Sequence, residues 1–247
     1  MMRKKEKKGM NPLFIQTIRI DWNQISSDSY LHGISALKES SELTLEKAVT
    51  FFVGENGTGK STLLEAIAVS YGFNPEGGTK NYRFSTFDSH SELCDAIVLG
   101  KGYRKNSWGY FLRAESFYNV ATKEMEYADI NSPSQKYHKK SHGEAFLALI
   151  QHQFKPNGIY ILDEPEAALS PQRQLTLLME MKRLVEQGAQ FIIASHSPIL
   201  LGFPDAHLFS FDEGKIEPIT YEETNSYQVT ETFIHNREYL LEQLFNR

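Results

Sequence analysis

Apolar and polar residues alternate in Phe14-Ile15-Gln16-Thr17-Ile18-Arg19-Ile20, the spacing of a strand with one buried face. Leu43-Thr44-Leu45 and Val49-Thr50-Phe51-Phe52-Val53 predict two more strands, the second apolar enough to lie inside a sheet. Gly54 to Gly59 break the pattern. From Lys60 to about Tyr71 the period becomes helical, with Leu63, Leu64, Ile67 and Ala68 on one side. Residues 72–108 are rich in Gly, Ser and Asn, with short strands expected near 82–86 and a helical stretch near 91–99. Gly109–Ala114 reads as a strand, and the polar stretch 131–143, with Pro133, as a loop. A helix beginning near Ser141 carries Ala145, Phe146, Leu149 and Ile150. Ile159-Tyr160-Ile161-Leu162 is a short buried strand. A helix over roughly 171–187 stops at Gly188, and Phe191-Ile192-Ile193-Ala194 is another buried strand. Strands alternating with helices predict an α/β fold with a mainly parallel central sheet.

Composition narrows the picture. The 247 residues are 40% hydrophobic and 23% charged, ordinary for a globular protein with a core. A domain takes about 100 to 200 residues. The expected organisation is a basic tail over 1–12 followed by one domain over 13–247, with about 72–140 as an inserted helical lobe. No apolar run approaches the ~18 residues that span a bilayer, so no membrane insertion is expected. The net charge of −5 argues against a nucleic-acid coat but not against a local basic groove. The single cysteine, Cys94, excludes an internal disulfide and a multi-cysteine metal site, and suits a reducing, cytoplasmic compartment. Cys94 reads as a small packed residue. The start, Met1-Met2-Arg3-Lys4-Lys5-Glu6-Lys7-Lys8-Gly9, has the charge of a leader but no apolar stretch behind it, and reads as a solvated end.

The chemistry begins at the first glycine break. Gly54-Glu55-Asn56-Gly57-Thr58-Gly59-Lys60-Ser61 fits G-x-x-x-x-G-K-[ST] without a mismatch, between an apolar strand and an apolar helix. Glycines let such a loop turn its N–H groups onto phosphate oxygens, and the helix N-terminus adds positive potential. Lys60 is placed to reach the β- and γ-phosphates. Ser61 is a candidate Mg²⁺ ligand, with Thr62 beside it.

The buried strand 159–162 ends in Asp163-Glu164, and sheets of this class bind ligands at the C-terminal ends of their strands. Asp163 is suited to hold Mg²⁺ through water, and Glu164 to polarise an attacking water. Ser141-His142-Gly143-Glu144 opens a helix whose amides and Ser141 hydroxyl can meet an anion, while Ser141 with Glu144 also makes a capping box. Ser195-His196-Ser197 follows the strand 191–194, where His196 can bond the γ-phosphate and the attacking water.

Together these segments resemble the ATP-binding-cassette class of P-loop ATPases. GENGTGKST is similar to its Walker A, ILDEP to its Walker B, SHGE to its signature, AALS to its D-loop and ASHSP to its switch-histidine segment. The resemblance runs from about residue 14 to 211. Transporters carry LSGGQ where this chain has SHGE. The soluble branch is the better match, with its DNA-repair and chromosome-maintenance ATPases and its small stand-alone ATPases. A glutamine loop is not visible, and Glu115 or Ser116 is the nearest substitute by position. Ser170 stands where the D-loop usually has Asp.

The resemblance implies ATP and Mg²⁺ as cofactors and an ABC-type fold with an antiparallel β edge. It also implies a head-to-tail homodimer with two nucleotides between the subunits. Ser141, Gly143 and Glu144 of one chain would then face the γ-phosphate held by the other. An N-K-x-D motif that would read guanine is absent, and a small-molecule kinase leaves the Asp163-Glu164 pair, the SHGE helix and His196 unexplained. The expected function is Mg-dependent ATP hydrolysis that gates interaction with a protein or nucleic acid. An ATP-gated sensor or scaffold with negligible turnover, or the ATPase subunit of a transporter, are the alternatives. Glu164 and His196 favour hydrolysis, because a sensor needs neither.

Overall fold

The computed structural model describes residues 12–40, 42–79, 91–113 and 142–245. The strands expected near 82–86, most of the loop 131–143, the tail residues 1–11, Glu115, Ser116 and Ser141 lie outside them.

The described residues form two sheets. The larger is built from β3 (Val49–Val53), β5 (Trp108–Arg113), β6 (Gly158–Asp163), β7 (Gln190–Ala194), β8 (His207–Ser210) and β9 (Glu217–Ile219). Its order is β5-β6-β7-β3-β8-β9, parallel throughout except for the antiparallel edge pair β8–β9. The smaller sheet, β2-β1-β4, is antiparallel and consists of β1 (Ile15–Ile20), β2 (Glu42–Thr44) and β4 (Ile97–Lys101). The fold is α/β with a mostly parallel central sheet.

The apolar runs of β3, β6 and β7 follow from burial on both faces. On one face Phe52, Ile159, Ile161 and Ile192 pack with α1 (Lys60–Tyr71) and with the apolar side of β1. On the other, Phe51, Tyr160, Leu162, Phe191 and Ile193 pack with α2 (His142–Gln153) and α3 (Pro171–Glu186). Each strand therefore sends alternate residues into two separate cores. Gln190 ties the two sheets together. Its Oε1 accepts from the N–H groups of Phe14 and Ile15 at 2.8 and 3.0 Å, and its Nε2 donates to the Ile15 carbonyl at 2.9 Å.

The stretch 91–99 divides. One helical turn, Leu93–Ala96, is followed by β4, which pairs with β1. The β-branched pair Ile97-Val98 and an available partner strand override the helical spacing. Past β9 the chain forms two helices, α4 (Asn225–His235) and α5 (Arg237–Phe245). Among the described residues no helix is long and apolar enough to cross a membrane.

The strand register lines up one edge. Arg113 sits opposite Asp163, Asp163 opposite Ala194, Ala194 opposite Phe52, and Val53 opposite Ser210. The residues that immediately follow β3, β6, β7 and β8 are delivered to the same side of the sheet.

Candidate active site

The loop after β3 is held open by backbone that only glycine adopts easily. Gly57 and Gly59 have φ of +83° and +98°, and a Cβ on Gly59 would lie 2.7 Å from Ile34 Cγ2. Thr58 Oγ1 donates to the Glu55 carbonyl at 2.9 Å, closing the turn. Lys60 opens α1 and is only 4% exposed. Its Nζ donates to the carbonyls of Gly54 and Glu55, both at 2.7 Å, so the cation sits under the loop. Burial pulls the Lys60 pKa below its ordinary value, opposed by the negative charges of Glu164, Asp212, Asp163 and Glu55. An anion at the loop would add to that opposition and favour the charged amine.

Ser61 Oγ donates to Asp163 Oδ1 at 2.9 Å, across 102 residues of sequence. Asp163 ends β6 and is 8% exposed. Glu164, the next residue, takes a left-handed conformation at φ 48°, ψ 52°, and its N–H donates to the Ala194 carbonyl at 3.0 Å. This backbone turn gives the two neighbouring acids different surroundings: Asp163 buried against Ser61, Glu164 half-exposed at the edge. His196 Nε2 lies 3.8 Å from Glu164 Oε1, is shielded from solvent, and makes no hydrogen bond among the described residues.

Lys60, Ser61, Asp163, Glu164 and His196 lie at this one edge of the sheet. Thr62 follows on α1. Gly143 and Glu144, in the first turn of α2, have their described contacts with the segment after Glu164. Glu144 Oε1 is 3.3 Å from Arg173 Nη2, and a Cβ on Gly143 would fall 3.0 Å from the Ala168 carbonyl. Cys94 is buried, and its thiol is pushed up to about 12, chiefly by burial and then by Glu65 and Asp95. It is a packed residue, not an activated nucleophile.

The arrangement suits a nucleotide with its metal. Among the described residues no group of three or more His, Cys, Asp or Glu side chains gathers to hold a metal alone. One hydroxyl and one carboxylate, Ser61 and Asp163, fit Mg²⁺, which keeps several waters and shares its ligands with phosphates.

A family profile described as "AAA domain" matches residues 30–161, more than half of the chain. The chain belongs to the AAA-domain family of P-loop ATPases. A second profile, "AAA domain, putative AbiEii toxin, Type IV TA system", matches residues 142–202 of this AAA domain. Similar relatives include the galactose/methyl galactoside import ATP-binding protein MglA 2 of Photobacterium profundum, 28% identical over 186 residues. The arabinose import ATP-binding protein AraG of Pseudomonas savastanoi is 28% identical over 187 residues. Each alignment covers 66% of this chain and 36% of the relative, so the chain spans about a third of the length of these relatives. Among solved structures, the SMC head domain from Thermotoga maritima aligns with a TM-score of 0.44 and 15% identity, over 84% of this chain and 99% of that one. cbiO1 from Clostridium perfringens, part of the ABC transporter complex cbiONQ, aligns with 0.45 and 17%, over 81% and 90%. The AAA domain binds ATP and is an ATPase.

Three further residues of the AAA domain near this edge make contacts for which the sequence suggested no role, Glu166 being the one that opens the segment Glu166-Ala167-Ala168-Leu169-Ser170 after the acid pair. Asp212, just past β8, accepts the Glu55 N–H at 2.9 Å and so fixes the start of the phosphate loop. Arg113, ending β5, donates to Glu65 at 2.7 Å and has its Nε 3.8 Å from Asp163 Oδ2. Glu166 accepts from the His196 N–H at 2.6 Å. A cavity of about 540 Å³ opens beside the loop, with Gly54, His196, Asp212, Glu217 and Val229 in its walls.

Proposed function

We propose that the chain hydrolyses Mg-ATP at this edge and that turnover opens and closes a homodimer on a partner. The Ser61–Asp163 hydrogen bond carries the reading, because it joins the phosphate loop to the acid pair in one chain. The loop amides of Gly54 to Ser61, including those of Glu55, Asn56 and Thr58, and Lys60 would hold the phosphates, with Thr62 at their margin. Ser61 and Asp163 would hold Mg²⁺, which when bound neutralises phosphate charge. Glu164 takes the proton of the attacking water. The water oxygen bonds to the γ-phosphorus as the bond to the β-bridging oxygen breaks, giving ADP and phosphate. His196 orients the same water and the γ-phosphoryl oxygens.

Ser141, Gly143 and Glu144 would complete the site of a second subunit. Their separation in sequence from Lys60 supports this; within the chain Gly143 and Glu144, in the first turn of α2, lie against Ala168 and Arg173. Nucleotide binding and association are then linked, each strengthening the other. In analytical ultracentrifugation, Glu164→Gln should be monomeric without nucleotide and dimeric with saturating Mg-ATP. Ser141→Arg in that background should block the dimer while leaving ATP on the monomer. A Glu164→Gln protein that stays monomeric at ~100 µM with ATP refutes the sandwich, that concentration matching about 5 kcal/mol of association.

A further inference from the structure

The short turn after Glu164, Pro165–Ala168, carries an acid whose partners all lie on the histidine segment. Glu166 Oε1 accepts from Ser195 Oγ at 2.9 Å, from the His196 N–H at 2.6 Å and from the Ser197 N–H at 3.2 Å. Donors from consecutive residues on one carboxylate oxygen fix both the place and the rotation of that segment, and an ionised acceptor makes such bonds strong. Ser195 and Ser197 are buried on either side of the histidine, so its neighbours have no water to exchange for this acid. The far side is tied as well. Ser197 Oγ bonds to Gln174 Oε1, and Gln174 Nε2 donates to the Leu169 carbonyl at 3.2 Å.

Glu164 and His196 stand 3.8 Å apart, beyond a direct hydrogen bond. What sets that separation is the frame around them. Glu164 is bonded through its N–H to Ala194, the residue before the histidine segment, and Glu166 reaches the same segment from two residues further along. We propose that Glu166 is a positioning residue for hydrolysis: it holds His196 in place against Glu164 and makes the acid turn and the histidine segment move as one body. The inference rests on the roles given above to Glu164 and His196. Glu166 itself touches neither nucleotide nor water in this account, so its effect passes through the histidine.

The test is a double-mutant cycle read in kcat, KM and the affinity for a fluorescent ATP analogue. Misplacing a catalytic group by about 1 Å costs on the order of a hundredfold, so Glu166→Ala should lower kcat about a hundredfold with KM and affinity within about twofold. Glu166→Gln keeps an acceptor oxygen and should recover to within about tenfold of wild type. In a His196→Ala background the Glu166→Ala change should cost less than about threefold more, because the group it positions is gone. The same hundredfold loss in that background, or a parallel loss of nucleotide affinity, overturns the proposal. If Glu166→Ala shows no cooperative thermal unfolding, the cycle is run with Glu166→Gln, and an additive result overturns it equally. Wild-type kcat in His196→Ala removes the histidine's role and this inference with it. Wild-type kcat in a folded Glu166→Ala, beside a defective His196→Ala, overturns this inference alone.

Discussion

Along the edge where β3, β6 and β7 end, side chains are held by partners far away in sequence. Ser61 is bonded to Asp163, Glu55 to Asp212, and the segment around His196 to Glu166. The helix pair α4–α5 is the opposite case. Neither helix has a buried residue, and Val229, Ile234, Leu244 and Phe245 are exposed. What holds α4 is mostly local: Thr224 caps Tyr227, and the Tyr227 hydroxyl donates to Glu231 one turn on. Helices this short are marginal when they rest on local bonds. Phosphoryl transfer needs groups fixed before the substrate arrives, and only the long-range network supplies that. The difference separates the edge proposed to carry the chemistry from a helix pair held mostly by its own local bonds.

The largest contrast should appear in turnover. Glu164→Gln keeps the shape of the side chain and removes the base, so single-turnover hydrolysis should fall by roughly 10²- to 10⁴-fold while Mg-ATP affinity is retained. An equal rate in the variant would take Glu164 out of the reaction. In stability, Phe191→Ala should cost about 3–5 kcal/mol, since it empties a site packed against Phe154 and Tyr160; urea denaturation measures it. Next comes the loop. Asp212→Asn weakens one charge-assisted bond to the Glu55 N–H, and a change of about 1 kcal/mol would appear as roughly fivefold weaker ATP binding by calorimetry. The smallest effect belongs to the helix pair. Phe233→Ala should change the unfolding free energy by less than about 0.5 kcal/mol, read from urea denaturation, and ATP turnover should not move. A large stability loss there would show that α4–α5 is held as firmly as the sheet edge.

The same contrast marks what could be read from the sequence. β3, the glycine loop and α1 announce themselves, because a switch from strand to helical period across glycines has few other meanings. The acids at the end of β6 are legible because four apolar residues run straight into them. Glu166 and Asp212 are not. Each is an acid in a polar turn, indistinguishable in sequence from a solvated one, and each gains its role from a backbone N–H delivered by a distant strand. β4 was masked by apolar residues that also suit a helix, until β1 supplied a partner. The predicted elements end at the strand 191–194, short of α4 and α5, whose apolar residues, Val229 and Phe233 among them, are spaced as on a helix but left exposed.

Gln190 has a consequence for how the molecule opens. Apolar contact between the two sheets is non-directional and would tolerate a slide; the amide of Gln190 is directional and selects one offset. The N–H groups of Phe14 and Ile15 therefore exchange with solvent only when β1 separates from the start of β7. Their exchange rates report on the parting of the sheets, and with Leu at position 190 those two amides lose their acceptor while the apolar packing stays, so fast exchange there would come without global unfolding.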